Sequence, residues 1–171
     1  MEILGAKGCY KVQCHDADGN LKWETEVEDN LVVNVGLQDM NTKYFSGSSY
    51  TAAWYLGLIT GPGSGTTIAA ADTLASHAGW TEFTDYSGNR KAVTFGTATT
   101  ADPSVIDNSG SPSQFSISGA GGVVAGAFLC TVSSGTSGIL FSESDFQSPG
   151  DRTVVSGDTL TVTYTFSLDA A

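Results

Sequence analysis

The run "TLTVTYTFSL" near the end of the chain sets Leu160, Val162, Tyr164, Phe166 and Leu168 in strict alternation with threonines and a serine. A two-residue period cannot keep one face of a 3.6-residue helix apolar, so this run predicts a β-strand with one face in a core. The same text recurs upstream in shorter pieces. "EFTDY", "RKAVTFGTA", "SQFSIS", "VVAGAFLCTVS" and "GILFS" are separated by clusters of Gly, Ser, Asn, Asp or Pro, the punctuation of strands joined by turns. Composition agrees: 21 of 171 residues are glycine and only 15% are charged, against about 7% glycine and about 25% charge in an average domain. A chain of this length buries roughly 70% of its unfolded surface and needs no disulfide or metal to fold.

The N-terminal half holds two further units. In "CYKVQCHDADGNLKWETEVEDN", Tyr10, Val12 and Cys14 alternate with Lys11, Gln13 and His15 up to an Asp18-Gly19-Asn20 turn. Beyond it, Leu21, Trp23, Thr25 and Val27 alternate with Lys22, Glu24, Glu26 and Glu28. This pattern predicts a hairpin with one wet side. Asn30 can cap a helix through "LVVNVGLQDMNTKYF", where Leu31, Val35, Met40, Tyr44 and Phe45 fall near helical spacing and Gly36 costs about 1 kcal/mol. "AAWYLGLIT" then reads as a buried strand. Eight or so strands, one or two short helices and no βαβ alternation predict a mainly β fold, an antiparallel β-sandwich of jelly-roll-like form. No repeat or long linker divides the chain, so residues 9–171 are expected to form a single sandwich domain. The poorly patterned segment Met1 to Gly8 is expected to be a flexible arm that orders on docking.

Charge and motifs narrow the chemistry. Seven basic against eighteen acidic residues give a net charge of −11, which repels phosphate backbones and anionic lipid, so no nucleic acid or membrane partner is expected. No apolar run approaches the ~20 residues of a membrane helix, and the first residues lack a signal-peptide pattern. The three cysteines, Cys9, Cys14 and Cys130, then fit a reducing compartment. Cys9 and Cys14 are five residues apart on a strand and point to opposite faces, which with a lone His15 does not make a zinc site. Asp16, Asp18 and Asn20 resemble the opening of a calcium loop, but glycine falls at the fourth position instead of the sixth, as a hairpin turn explains. "GPGSGTT" lacks the Lys of a phosphate cradle, and no G-x-S-x-G elbow occurs. The sharpest candidate is "SHAGWTEFTDY", where His77 with Glu82 or Asp85 could form an acid–base couple. The alternative is structural: a short helical turn from Asp72 or Thr73, His77 in its last turn, a Gly79 stop, and Trp80 folding onto the core. The structural alternative weighs more, so no catalytic, cofactor-binding or metal-ligating residue and no cofactor are assigned.

The order of "DADGNLKWE", "NLVVNVGLQDMNTKYFSGSSYTAAWYLGLI", "AADTLASHAGWTEFTDYSGNRKAVTFG", "VAGAFLCTVSSGTSGILFS" and "DRTVVSGDTLTVTYTFSL" resembles a group of small virion structural proteins of tailed bacteriophages, the capsid cement or decoration proteins. The resemblance spans roughly residues 10 to 168. It implies a non-enzymatic protein on the capsid exterior, assembled in the bacterial host cytoplasm as a homodimer or homotrimer and bound to the major capsid protein. The expected contacts are the arm, the loops "GPGSGTT" and "DFQSPGDR", and Arg152, one of few cations able to meet a partner's carboxylate. A tail or tail-fibre component fits the same composition. A carbohydrate-binding sandwich would need Trp23, Trp54 or Trp80 as stacking platforms, and a hydrolase would rest only on His77 with Glu82 or Asp85.

Overall fold

The computed structural model describes residues 5–28, 30–47, 49–50, 52–60, 66–146 and 150–169. Along these the elements run β1 (Ala6–His15), β2 (Leu21–Val27), β3 (Leu31–Val32), α1 (Asn34–Phe45), β4 (Tyr55–Thr60), β5 (Thr81–Phe83), β6 (Lys91–Ala92) and β7 (Ser104–Asp107), then β8 (Ser113–Ser116), β9 (Gly122–Val124), β10 (Gly126–Cys130), β11 (Leu140–Asp145), β12 (Arg152–Val154) and β13 (Thr159–Leu168). The fold is mainly β, with antiparallel sheets in a sandwich-like arrangement and α1 as the helix among the described residues.

The first sheet is ordered β2-β1-β13-β7, with β8 also paired to β13. Its spine is a ten-rung ladder from Ala6↔Leu168 to His15↔Thr159. Ala6, Lys7 and Gly8, read above as part of an arm, are the first rungs of this ladder, while residues 1–4 lie outside the described residues. The expected alternation holds over most of the ladder, though at the end of β13 Phe166 is half-buried and Leu168 is exposed. Tyr10, Val12 and Cys14 on β1 and Leu160, Val162 and Tyr164 on β13 are fully buried, while the residues between them meet solvent.

The second sheet is ordered β3-β11-β10-β4-β5, with β6 on β4. Its central strands do not alternate: every residue of β10 and the middle four of β4 are buried. The cause is cover on both faces. Leu56, Leu58, Ala127 and Leu129 point into the core shared with the first sheet. Ile59, Phe128, Cys130 and Leu140 point the other way, beneath Leu74, Trp80 and Val33, with Ile68 and Val35 packed alongside. The two sheets are also pinned by polar atoms. The Tyr10 hydroxyl lies 2.7 Å from Ser142 Oγ, which lies 3.2 Å from the Tyr164 hydroxyl.

A register shift between Leu129 and Cys130 bulges β11 at Phe141. Phe141 and Ser142 therefore both serve the inner core, whereas Leu140 and Glu143 face the outer cover, a reversal that strict alternation would not produce.

Two expectations about strands are corrected. "VVAGAFLCTVS" divides at Ala125, with β9 pairing β12 and β10 pairing β4 and β11. In "RKAVTFGTA" only Lys91 and Ala92 are ladder residues. The rest is stitched by single backbone bonds, Val93 to Trp54 and Gly96 to Asp107, with Thr99 just beyond it bonded to Val105.

The helix also begins later than the sequence suggests. Asn30 is not its cap: it is buried, and its backbone N–H donates to the Gly8 carbonyl. Leu31 and Val32 instead add an edge to β11, where β-branched and bulky side chains pack well. Val33 then occupies the cap position without a side-chain cap bond. Gly36, weak by helix propensity, is required by contact, since a Cβ there would collide with the Phe141 carbonyl. Gly36→Ala should therefore lower the urea midpoint. The propensity gain of about 1 kcal/mol is outweighed by an overpacking cost of roughly 1–3 kcal/mol, and a midpoint equal to or above that of the parent would contradict the packing.

Candidate functional site

In "SHAGWTEFTDY" the three groups of the supposed acid–base couple are engaged elsewhere. The His77 ring stacks on Trp80 at 3.7 Å between centroids and 12° between planes, with Nδ1 3.0 Å from the Trp80 carbonyl. Glu82 accepts two bonds from Arg90, at 2.8 and 2.7 Å. Asp85 accepts the Gly121 N–H at 2.6 Å. The expected helical turn is a correction as well. Thr73 and Ser76 exchange backbone bonds of 2.9 and 3.1 Å in a tight bridge. Gly79 is no left-handed stop: it passes so close to Thr67 that a Cβ would strike the Thr67 carbonyl. Trp80 is buried, as expected.

Other singled-out residues have structural partners. Asp16 accepts the backbone N–H groups of Asn20 and Asp18 at 2.8 and 3.0 Å, bonds that hold its carboxyl below the usual range and build the hairpin turn. Cys14 is in the core and Cys9 on the opposite face. All three cysteines are free, and burial pushes the Cys9 thiol to about 12 and Cys14 to about 11, so they are poor nucleophiles. The Arg152 guanidinium lies 5.7 Å from the Trp23 ring centroid. Trp23 packs against the inner core and Trp80 is 2% exposed, so these two rings are turned inward, away from the use a carbohydrate platform would make of them, while Trp54 is half-buried with its ring 5.1 Å from Phe141. Residues 61–65 of "GPGSGTT" and 147–149 of "DFQSPGDR" lie outside the described residues. Among the described residues no cluster of three or more His, Cys, Asp or Glu is arranged to hold a metal, and no helix is long and apolar enough to cross a membrane.

The exposed aromatic surface is elsewhere. Tyr44 and Phe45, expected on the apolar face of the helix, are 83% and 78% exposed, and Tyr50 is 48% exposed. Tyr44 and Phe45 meet edge to face at 5.0 Å, and the Lys43 ammonium sits 5.6 Å from the Tyr50 ring centroid. With Met40, Trp54 and Leu168 they line an apolar groove of about 380 Å³ at the C-terminal end of α1. Met40 and Trp54 also line a second cavity of about 180 Å³, which reaches Phe95, Leu129 and Tyr164 of the inner core. Contiguous exposed apolar surface, rich in tyrosine and other aromatics, marks interaction sites more than solitary exposed residues do. The sequence signal was present but ambiguous. Adjacent residues on a helix lie 100° apart, so Tyr44 and Phe45 were not both bound to follow Met40 inward.

Sequence reasoning missed Glu143 altogether. It is fully buried on the outer face of β11, where Oε1 accepts the Ala69 N–H at 3.0 Å and Oε2 the Trp80 indole N–H at 2.8 Å. Asp72 Oδ2 takes the same Ala69 N–H at 3.2 Å, so the two carboxyl groups converge on one donor. Burial pushes Glu143 from its ordinary 4.5 to about 7; the Asp72 charge adds to the rise and the Trp80 and Ala69 bonds oppose it.

Comparison with known protein families, curated proteins and solved structures finds no match. The class that fold and site define is therefore physical: an acidic antiparallel β-sandwich-like protein with an aromatic groove at one helix end and a buried glutamate beside a half-buried aspartate at its outer cover.

Because the proton on Glu143 is held more tightly in the folded state, the stability it contributes is fully present below about pH 4.5 and is lost as pH rises to about 7. Thermal melts across that range should show a falling Tm for the parent protein and a flatter profile for Glu143→Gln, whose amide imitates the protonated acid. Parallel profiles would show that Glu143 does not carry the shifted proton.

Proposed function

We propose that the chain is a non-enzymatic structural protein of a tailed-bacteriophage virion, a capsid cement protein that binds the outer surface of the major capsid protein as a homodimer or homotrimer. The observation that carries this reading is the groove at the end of α1. Its exposed Tyr44, Phe45 and Tyr50 stand on a scaffold packed beneath them, which suits burial against a protein surface without prior ordering of the chain. The order of sequence blocks supports the phage assignment, and the net charge of −11 suits a surface turned away from packaged DNA. The proposed occupant of the groove is the capsid shell.

Quantifying the protein in purified virions tests the assignment. Hundreds of copies per particle are expected, whereas a few dozen would place it in the tail and absence from intact particles would overturn the reading. Tyr44→Ser with Phe45→Ser should change folding stability by no more than about 0.5 kcal/mol at each exposed site. The same pair should weaken capsid binding at least about tenfold in co-sedimentation, equivalent to about 1.4 kcal/mol.

A further inference from the structure

The segment from Thr66 to Trp80 is a strap laid across the outer face of the second sheet. Leu74 and Trp80 bury themselves there, with the Trp80 ring 5.2 Å from Phe128. Backbone bonds close the strap on itself, Thr67 to Gly79 at 3.1 Å, and tie it to the start of α1, Asn34 to Ala70 at 2.8 Å. One side chain of the sheet holds both ends of the span: Glu143 takes Ala69 through one oxygen and Trp80 through the other.

The strap also brings its own carboxyl, Asp72, to that point, where both acids compete for the Ala69 N–H. Among the described residues no ion pair reaches Glu143. Its titratable and charged neighbours do not supply a neutralising cation either. His77 stacks on Trp80 and addresses the Trp80 carbonyl, and Tyr10 bonds Ser142 on the inner face. The Arg90 guanidinium rests on Phe128 but is paired with Glu82. The neighbouring strand β3 contributes only Leu31 and Val32, and the start of α1 only Asn34 and Val35, none of them charged. One proton between the acids makes a hydrogen bond; with none, a buried negative charge on Glu143 faces a second on the half-buried Asp72.

We propose that the strap is a proton-operated latch, closed on the outer face of the second sheet while Asp72 and Glu143 share a proton and loosened over residues 69–80 when that proton passes to solvent. Opening uncovers Ile59 and Phe128 and frees the first backbone N–H of α1, the helix whose far end lines the groove. The latch does not depend on the capsid reading.

Amide hydrogen exchange on the intact chain at about pH 5.5 and about pH 8.5, corrected for intrinsic exchange rates, tests it. The parent protein should lose protection at least about tenfold over residues 69–80 at the higher pH, the effect of one unit of differential proton affinity. The β1–β13 ladder should keep its protection, and Asp72→Asn and Glu143→Gln should each abolish the loss. Equal protection of the strap at both pH values would overturn the latch, as would an equal fall in strap and ladder or an Asp72→Asn variant that loosens like the parent. Asp72 is half exposed, so that variant decides the matter even if Glu143→Gln fails to fold.

Discussion

Cover on both faces of the second sheet is the constraint from which most of the architecture follows. A sheet wet on one side is built from alternating strands, but one buried twice must be apolar at nearly every position and must find two lids. The first sheet is one lid. The other is assembled from the strap and the start of α1, elements with little regular structure of their own, and their close approaches explain Gly36 and Gly79 better than helix or cap propensities do. Any polar group on the outer face must then be satisfied by the lid. Glu143 meets that demand by collecting one backbone and one indole N–H, and the bulge at Phe141 is what turns it outward.

The parts legible in the sequence are those where local pattern and global burial agree. The ladder partners β1 and β13 and the hairpin partner β2 alternate because one face of their sheet is wet, and the strand read in "AAWYLGLIT" is buried at Leu56 to Ile59, although Ala52 and Ala53 are exposed and precede it. Asn30 misleads because capping is a local preference, overruled by the gain from adding Leu31 and Val32 to an existing sheet edge. The strap misleads for a related reason. "ADTLASHAG" has helix-like start and stop residues, yet Leu74 and Trp80 both reach the sheet through a tight turn at Thr73–Ser76. The groove and the carboxyl pair were the least legible. The first depends on which side of a helix happens to meet its neighbour, and the second joins residues 72 and 143 through a bulge that no periodicity encodes.

The groove and the latch share α1. The helix is seated through Gly36 against Phe141, its first residue is bonded to the strap, and its last residues carry the exposed rings. Full burial of an aromatic side chain is worth about 1.5–3 kcal/mol, so Tyr44 and Phe45 leave in solvent an amount comparable with a large part of a small domain's net stability. That surface is costly to the isolated molecule and favourable to any complex that covers it.

The ladder between β1 and β13 joins Ala6 to Leu168, so a central strand of the first sheet is the last described element to be made. At the usual rate of roughly 5–20 residues per second, β1 and β2 emerge from a ribosome about 8 to 30 s before the strand that completes their sheet. During that interval the hairpin exposes Tyr10, Val12 and Cys14, the face that later closes against the other half of the molecule. Its outer edge is meanwhile lined by Lys22, Glu24, Glu26 and Glu28, charges of the kind that keep a waiting edge from pairing with the wrong chain.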